Sequence, residues 1–296
     1  MSLPQTTATA QRRPAPAAGS LTTHPLKGTH EPEALAFLAA PTLQNVILSS
    51  SFIRDNGLES PFNRGTFYAC RDAEGRLEGI GLIGDIILVE ARSDAAFAAF
   101  ARLAQGYTRA DVIMGERENL ERFWGYYAEG GQAPRRFCRE LLFEQRRPAD
   151  MCEAVPGLRL ATPADLDQVT CAHAQMALLE SGVNPLEVDP DGFRQRCARR
   201  IDQQRVWVLT EGGRLIFKAD VIAETPHITY LEGIYVTPEE RSKGFGSRCL
   251  SQIGRTLLKR TKSICLLVNE QNQKAPAFYR KAGYELRGSY DTIFLR

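Results

Sequence analysis

The sequence has almost no net charge and no long apolar run. Its 296 residues carry 37 lysines and arginines against 35 aspartates and glutamates, a formal charge of +2. We therefore expect no nucleic-acid partner, because proteins that bind nucleic acids present strongly basic surfaces. No apolar stretch approaches the roughly 20 residues that a membrane-spanning helix needs. A soluble protein without a membrane partner is the expectation.

Metal-binding and disulfide patterns are missing as well. The 7 cysteines form no Cys-x-x-Cys pair, and the 4 histidines are scattered along the chain. Zinc sites need clusters of these residues, so we expect no metal. An odd number of isolated cysteines is typical of buried thiols in a reducing compartment, which favours the cytoplasm.

The first 30 residues contain no acid. They are rich in alanine, proline, threonine and glutamine, and the first acidic residue is Glu31. Such a segment cannot bury enough apolar surface to order itself, so residues 1–30 are predicted to be a disordered tail. An organelle transit peptide is the alternative, although Pro14, Pro16 and Pro25 interrupt any amphipathic helix.

The most informative stretch runs from residue 230 to residue 246. It begins as a strand that ends at Thr237-Pro238, and it passes into a helix with apolar residues every fourth position from Phe245. Between the two lies Arg241-Ser-Lys-Gly-Phe-Gly246, with two glycines and two cations where the helix begins. Unpaired N–H groups and the partial positive charge of a helix start favour a pyrophosphate there.

Two motifs in this half of the chain fit one family. The first is Arg241-x-x-Gly244-x-Gly246, and the second is Asn272-x-x-Ala275-x-x-Phe-Tyr279-x-Lys-x-Gly-Tyr. In this order they resemble the two signatures of the GNAT superfamily of acyl-CoA-dependent N-acetyltransferases, over roughly residues 157–296. The resemblance implies an α/β (α+β) GNAT fold, a mixed central sheet flanked by helices.

The same resemblance implies acetyl-CoA as co-substrate and direct transfer of its acetyl group to a primary amine, either a protein lysine or a small molecule. In the family two strands splay apart, and the pantetheine arm lies between them. A backbone N–H near Ile234 would then stabilise the developing oxyanion. The implied cofactor-binding residues are Ile234, Tyr235, Val236, Arg241, Ser242, Lys243, Gly244, Phe245, Gly246, Asn269 and Asn272.

Tyr279 stands where the family has the tyrosine that protonates the leaving thiolate. Its alternative role is that of a core tyrosine. Asn272 would hydrogen-bond the pantetheine arm, or cap the helix that contains Ala275.

The attacking amine must be neutral, so a base is required. Glu232 is the first candidate, because strand alternation places it on the face of Tyr230 and Ile234. A cross-strand ion pair with Lys218 is the alternative role. Two further residues are reserve candidates, Asp220 and His227.

The acceptor site is expected between residues 174–188 and the strand 217–220. Three acids in and beside the first segment would attract a cationic amine, or form a solvated loop: Glu180, Glu187 and Asp189. No particular substrate follows from this pattern.

The element order strand-strand-helix-strand-helix-strand over residues 66–143 resembles the C-terminal half of a GNAT domain. The segment Glu90–Ala95, where a pyrophosphate loop belongs, has no glycine and carries two acids. We therefore predict a tandem arrangement, with a degenerate GNAT-like domain at residues 31–147, a linker near 146–150 and a catalytic domain at 148–296. A second hypothesis is a non-catalytic acyl-CoA sensor or interaction module.

Overall fold

The computed structural model describes residues 21–39, 45–149 and 154–295 of the chain. Their contacts form two compact units. The first unit holds the residues up to 135 except 50–52, together with residue 295, and the second holds 50–52 and 136–294. Across the described ranges, no helix has the length and apolar character required to cross a bilayer.

The first unit contains a mixed sheet with helices. Its strands lie in the order β1-β2-β3-β4-β5, and only the β4–β5 pair is parallel among these neighbours. The elements are β1 (Thr22–Pro25), α1 (Glu31–Ala39), α2 (Asn45–Asn56), β2 (Gly65–Arg71), β3 (Leu77–Gly84), β4 (Ile86–Ala91), α3 (Asp94–Gln105), β5 (Val112–Glu116) and α4 (Arg117–Tyr127).

The predicted tail is wrong at its C-terminal end. Strand β1 pairs antiparallel with β2, from Thr22 opposite Arg71 to Pro25 opposite Tyr68. Backbone hydrogen bonds to β2 stabilise this segment although it has few apolar residues. The segment's own residues do not indicate that it has this partner. Residues 1–20 of the predicted tail lie outside the described part of the chain.

Helix α3 packs its apolar face on the first sheet. Phe97, Phe100, Ala101 and Ala104, which helical spacing predicts to share one face, are buried. Two glycines of β3 make room for Phe100, since a Cβ at Gly79 or Gly81 would lie 2.8 or 2.9 Å from its ring. Helix α4 carries aromatic residues at helical spacing, and two of them, Phe123 and Tyr127, are buried in the core.

The second unit contains a longer mixed sheet. Its strands follow the order β12-β6-β11-β10-β9-β8-β7, with β10 and β11 parallel. The elements are β6 (Pro134–Gln145), β7 (Arg159–Leu160), α5 (Leu166–Ser181), α6 (Pro185–Val188), α7 (Pro190–Asp202), β8 (Val206–Glu211), β9 (Arg214–Glu224), β10 (Ile228–Val236), α8 (Phe245–Leu257), β11 (Ser263–Asn269), α9 (Ala275–Lys281) and β12 (Glu285–Leu295).

Strand β6 differs from its expected place. The sequence assigns it to the end of the first domain, but it pairs antiparallel with β11, from Ile264 opposite Gln145 to Asn269 opposite Glu140. Its apolar run Leu141–Phe143 suits any sheet, and the choice of partner is a long-range contact that local pattern does not encode. The sequence also predicts a hairpin over residues 285–295, but these residues form the single strand β12.

The two faces of the second sheet are covered differently. Helices α8 and α9 share one core with the central strands, which includes Leu250, Ile253, Leu231 and Leu266. Val169 and Ala172 of α5 pack in a separate cluster with residues of α7, β8 and β9. The predicted mixed sheet flanked by helices is confirmed.

Candidate active site

Strands β10 and β11 part in the middle of the sheet. Their parallel pairing runs from Ile228 opposite Ser263 to Leu231 opposite Leu266 and ends there. Both strands continue, β10 to Val236 and β11 to Asn269. Beyond the last pair the facing edges of the two strands are no longer hydrogen-bonded to each other, and we call the space between these two segments the gap. Ile234, Tyr235 and Val236, predicted to contact a cofactor, lie on this parted segment of β10.

A β-bulge in β10 coincides with the parting. The register against β9 shifts between Glu232, opposite Asp220, and Tyr235, opposite Lys218. Gly233 in the bulge has a φ of +62°, a conformation that glycine adopts without a Cβ penalty. The bulge bends β10 away from the regular ladder at the place where β11 is lost as a partner.

The start of α8 lies directly after β10. Gly244 is its N-cap, with a φ of +85° and no side-chain cap, and the first helical hydrogen bond runs from Arg248 N–H to the Gly244 carbonyl. The N–H groups before Arg248 therefore keep no helical acceptor. A Cβ at Gly244 would meet no atom within 4 Å, so the space in front of the helix is open. This cradle fits a pyrophosphate.

Gly246 has a different role from Gly244. A Cβ on Gly246 would lie 3.1 Å from both Phe278 of α9 and Val236 of β10. Its hydrogen lets the first turn of α8 pack closely on the strand. Phe245 is half-buried beside it, with the Arg248 guanidinium 5.1 Å from its ring.

Both cations of the loop already have partners in the residues that precede it. Arg241 Nε donates to the Val236 carbonyl at 3.0 Å, and Lys243 Nζ lies 2.9 Å from Glu240. Ser242 has a left-handed φ of +64°, so it shares in the turn that leads to the helix. Backbone groups rather than free side-chain charges are therefore the main donors of the cradle.

The second motif begins at the end of β11. The Asn269 side chain accepts from the Gln271 N–H at 2.9 Å, and the Asn272 side chain is exposed. The suggested cap role of Asn272 is wrong, because Lys274 is the N-cap of α9 and makes no side-chain cap bond. The backbone carbonyl of Asn272 instead accepts from Ala275 N–H.

Tyr279 on α9 is packed among aromatic rings. Its ring lies 5.7 Å from Phe143, 5.0 Å from Phe278 and 6.0 Å from Tyr284. Only 8% of the residue is exposed, and its hydroxyl forms no hydrogen bond with the described residues. Burial, reinforced by the nearby carboxylate of Glu180, raises the pKa of this hydroxyl. The hydroxyl is therefore protonated at neutral pH and available as a donor.

Carboxylates from three elements influence one another near the parted strands. Glu180 is exposed near the end of α5, but the packing around its carboxylate and then the charges of Glu232 and Glu140 raise its pKa to about 7. Desolvation also raises the pKa of Glu140 to about 7, against a hydrogen bond from Thr292 at 2.6 Å. Glu140 is not among the site residues predicted from the sequence, because the sequence assigns its strand to the other domain.

Glu232 itself is exposed on β10. Its suggested ion pair with Lys218 is wrong, because Lys218 binds Asp220 instead, at 2.9 Å. The exposed carboxylate of Glu232 thus stands at the edge of the gap without that partner.

The reserve bases lie in unsuitable places. Burial by itself raises the pKa of Asp220, but the charge of Lys218, followed by His173 and Arg200, holds that pKa below its usual range. His227 precedes β10, at the end of the strand that is paired with β11 rather than at the parted end. Neither residue borders the gap.

The corresponding part of the first unit is closed. The β4–β5 pairing also ends early, at Leu88 opposite Met114. However, Ser93 caps α3 through its side chain, which accepts from Ala96 N–H, and Asp94 forms an ion pair with Arg122 at 2.7 Å. These contacts take up the N-terminal end of α3, whereas the N-terminal end of α8 has no side-chain cap.

Comparison with known proteins agrees with this geometry. A family model described as an acetyltransferase (GNAT) domain matches residues 202–286. Residues 202–286 are a GNAT domain. The match spans β8 to the start of β12, and so includes the parted strands, the glycine loop and α9.

Solved structures extend the likeness in fold to most of the chain. One is a GCN5-related N-acetyltransferase from Sphaerobacter thermophilus, with a TM-score of 0.60 and 14% sequence identity. The alignment covers 92% of this chain and 94% of that protein's chain. A GNAT-family acetyltransferase from Colwellia psychrerythraea has a TM-score of 0.58 at 12% identity, covering 94% and 100%.

A tandem GNAT protein from the clavulanic acid biosynthesis pathway, solved without AcCoA, has a TM-score of 0.57 at 14% identity and covers 92% and 98%. At these identities the likeness establishes the GNAT fold alone. No curated protein matches the sequence.

Proposed function

We propose that the second unit is an N-acetyltransferase that moves an acetyl group from acetyl-CoA directly to a primary amine. The observation that carries this proposal is the parting of β10 and β11 beside the uncapped start of α8. A helix start that lacks capping groups binds phosphates, and unpaired strand edges bind an extended amide chain. Acetyl-CoA has both parts, a pyrophosphate and a pantetheine arm with two amides.

The residues at the gap supply the acid–base chemistry. The coupled carboxylates Glu232 and Glu180 take a proton from the acceptor ammonium, and Glu140 adds negative charge that favours a cationic acceptor. The neutral amine then attacks the acyl carbon, so that a C–N bond forms and the C–S bond breaks. Tyr279 donates its proton to the departing thiolate and regains one, through solvent, from the newly bonded nitrogen, which loses its second proton as the amide forms.

Positioning rather than covalent catalysis provides most of the rate in this proposal. Two reactants held in line can gain effective molarities of about 10⁵ M or more. Asn269 and Asn272, at the end of β11 and after it, lie on the far side of the gap from Ile234. They are proposed to hold the pantetheine arm from that side. The acceptor is a protein lysine or a small amine.

A reducing cytoplasm is the proposed location. The described cysteines are all free thiols, of which only Cys171 is exposed. Burial raises the pKa of several of them, including Cys70 to about 11 and Cys249 to about 12. Such thiols are inert at neutral pH and need no disulfide partner.

Calorimetric titration of the full chain with acetyl-CoA tests the proposal first. One equivalent of binding, followed by thiol release in the presence of a panel of primary amines, is the expected result. Binding without turnover of any amine would favour the alternative of an acyl-CoA sensor. Absence of binding would overturn both proposals and leave only a GNAT-shaped scaffold.

A further inference from the structure

A lysine is completely buried behind the bulge of β10. Lys218 on β9 has 0% exposure, and its ammonium lies 2.9 Å from the Asp220 carboxylate and 3.2 Å from the carbonyl oxygen of Gly233. Asp220 is also within 3.3 Å of His173 and 3.5 Å of Arg200. This network therefore fixes the ammonium against one peptide group of the bulge.

The contact sets the direction of the next N–H group. No peptide bond among the described residues is cis. In a trans peptide the carbonyl and the following N–H point in opposite directions. The Gly233 carbonyl points at Lys218, so the Ile234 N–H points away from it. That N–H belongs to the segment of β10 that has left β11.

We propose that Lys218 is a positioning residue that orients and polarises the Gly233–Ile234 peptide, so that the Ile234 N–H donates to the carbonyl oxygen of the bound acyl group. This inference rests on the proposed function. Lys218 does not touch the acyl group, but acts through the peptide that does.

The charge adds strength to this orientation. A cation at the oxygen of an amide draws electron density from its nitrogen, and hydrogen bonds in series strengthen one another in a low-dielectric interior. A donor that is held in place before the reaction needs no reorganisation as the oxyanion develops.

Stability alone does not explain the arrangement. Replacing a buried ion pair by apolar residues is often neutral or stabilising. An apolar pair would suit this face of β9, because Lys218 and Asp220 lie opposite Val208 and Val206 of β8, which are buried in an apolar cluster. We therefore assign the charged pair a role in orienting the Gly233–Ile234 peptide, whose carbonyl Lys218 contacts.

The wild-type protein offers a direct test by NMR. The chain has two Gly-Ile peptides, Gly79–Ile80 and Gly233–Ile234. Labelling glycine carbonyls with ¹³C and isoleucine nitrogens with ¹⁵N thus yields two selected amide signals, with Ile80 as an internal control. We expect acetyl-CoA to move the Ile234 proton downfield and to leave the Ile80 proton in place. An unmoved Ile234 signal at saturation would overturn the proposal.

Infrared spectroscopy then isolates the contribution of Lys218. The thioester carbonyl of ¹³C-labelled acetyl-CoA should absorb at lower wavenumber when bound to the wild type than in solution. Lys218→Met should return the band most of the way to its solution position and lower kcat by about 100-fold, the scale of one lost oxyanion donor. Affinity for acetyl-CoA should stay within about threefold, since the cradle on α8 is unchanged. Lys262→Met, on the exposed surface, is the matched control.

A second variant guards against misfolding. Lys218→Met leaves Asp220 with fewer partners, so the double variant Lys218→Met/Asp220→Asn removes both charges and should give the same band shift. A band that stays at the wild-type position in a folded, acetyl-CoA-binding variant would refute the role of Lys218. Failure of the wild type to bind acetyl-CoA would instead refute the proposed function.

Discussion

Gly233 and Lys218 leave no room for a side chain between them. A Cβ on Gly233 would lie 2.7 Å from Nζ of Lys218 and 3.1 Å from Oδ2 of Asp220. The φ of +62° at Gly233 also disfavours any residue with a Cβ. The bulge thus depends on a glycine for both its conformation and its contact with the buried ammonium.

The substitution Gly233→Ala should separate the ammonium from the Gly233 carbonyl. We expect kcat to fall by about 10- to 100-fold, because the oriented N–H is lost. Unfolding free energy should fall by about 1–3 kcal/mol from the left-handed strain. Gly213→Ala is the matched control, since Gly213 has a φ of +76° but meets no atom within 4 Å. A kcat loss of equal size in the control would argue against the bulge as its cause.

Gly244→Glu should abolish the binding of acetyl-CoA while the fold is retained. The new side chain would project from the N-cap of α8 into the open cradle and place a negative charge where a pyrophosphate is proposed to bind. Repulsion in this site should weaken acetyl-CoA by at least about 100-fold. Isothermal titration calorimetry measures the change.

Gly212→Glu provides the matched control for that variant. Gly212 also has a positive φ, of +55°, and open space around it, but it lies in the turn between β8 and β9. Its affinity for acetyl-CoA should equal that of the wild type. Equal affinity in Gly244→Glu would show that the cradle is elsewhere.

Tyr279→Phe should lower kcat by about 10²- to 10³-fold, the range of a lost general acid. The ring contacts with Phe143, Phe278 and Tyr284 survive in this variant, so stability and acetyl-CoA affinity should change little. Release of the thiol is the readout. Unchanged turnover would mean that solvent protonates the leaving group, and that Tyr279 has only its packing role.

The local parts of the site could be predicted from sequence because each is encoded by adjacent residues. The strand at Ile234, the glycines at 244 and 246 and the helix with Tyr279 follow from spacing within short windows, and all are present. Their mutual approach also follows, since a parallel strand pair places equivalent ends together.

The missed parts depend on contacts between distant residues. Glu140 joins the candidate site through the pairing of β6 with β11, about 130 residues apart in the chain. The bond from Lys218 to the Gly233 carbonyl requires a bulge, and glycine in a strand signals one only weakly. Strand β1 likewise depends on its pairing with β2, a partner that its own sequence does not specify.

Glu232→Gln should move the pH profile of the proposed reaction. The base must be deprotonated, so kcat/KM should rise with pH through the region of the Glu180 pKa, about 7. Glu232 raises that pKa by its negative charge, and its removal should lower the pKa of Glu180. The rising limb should therefore shift to lower pH. Glu211→Gln, at the exposed end of β8, should leave the profile in place. Loss of activity at every pH, without a shift, would assign the base to Glu232 alone.

Glu90→Gln should stabilise the first unit at alkaline pH. Glu90 is only 8% exposed, and its Oε1 has no hydrogen-bond partner among the described residues. Desolvation, followed by the charge of Glu116, raises the pKa of Glu90 to about 8 from an ordinary value near 4.5. A raised pKa in the folded state means that this group favours folding fully below pH 4.5 and loses that contribution as the pH rises toward 8.

The neutral amide should therefore leave stability unchanged near pH 4 and increase it by roughly 2 kcal/mol at pH 8.5. Urea unfolding at both pH values measures the difference, with the exposed Glu121→Gln as control. A variant that is no more stable than the wild type at pH 8.5 would mean that the Glu90 carboxylate is ionised in the folded protein at little cost.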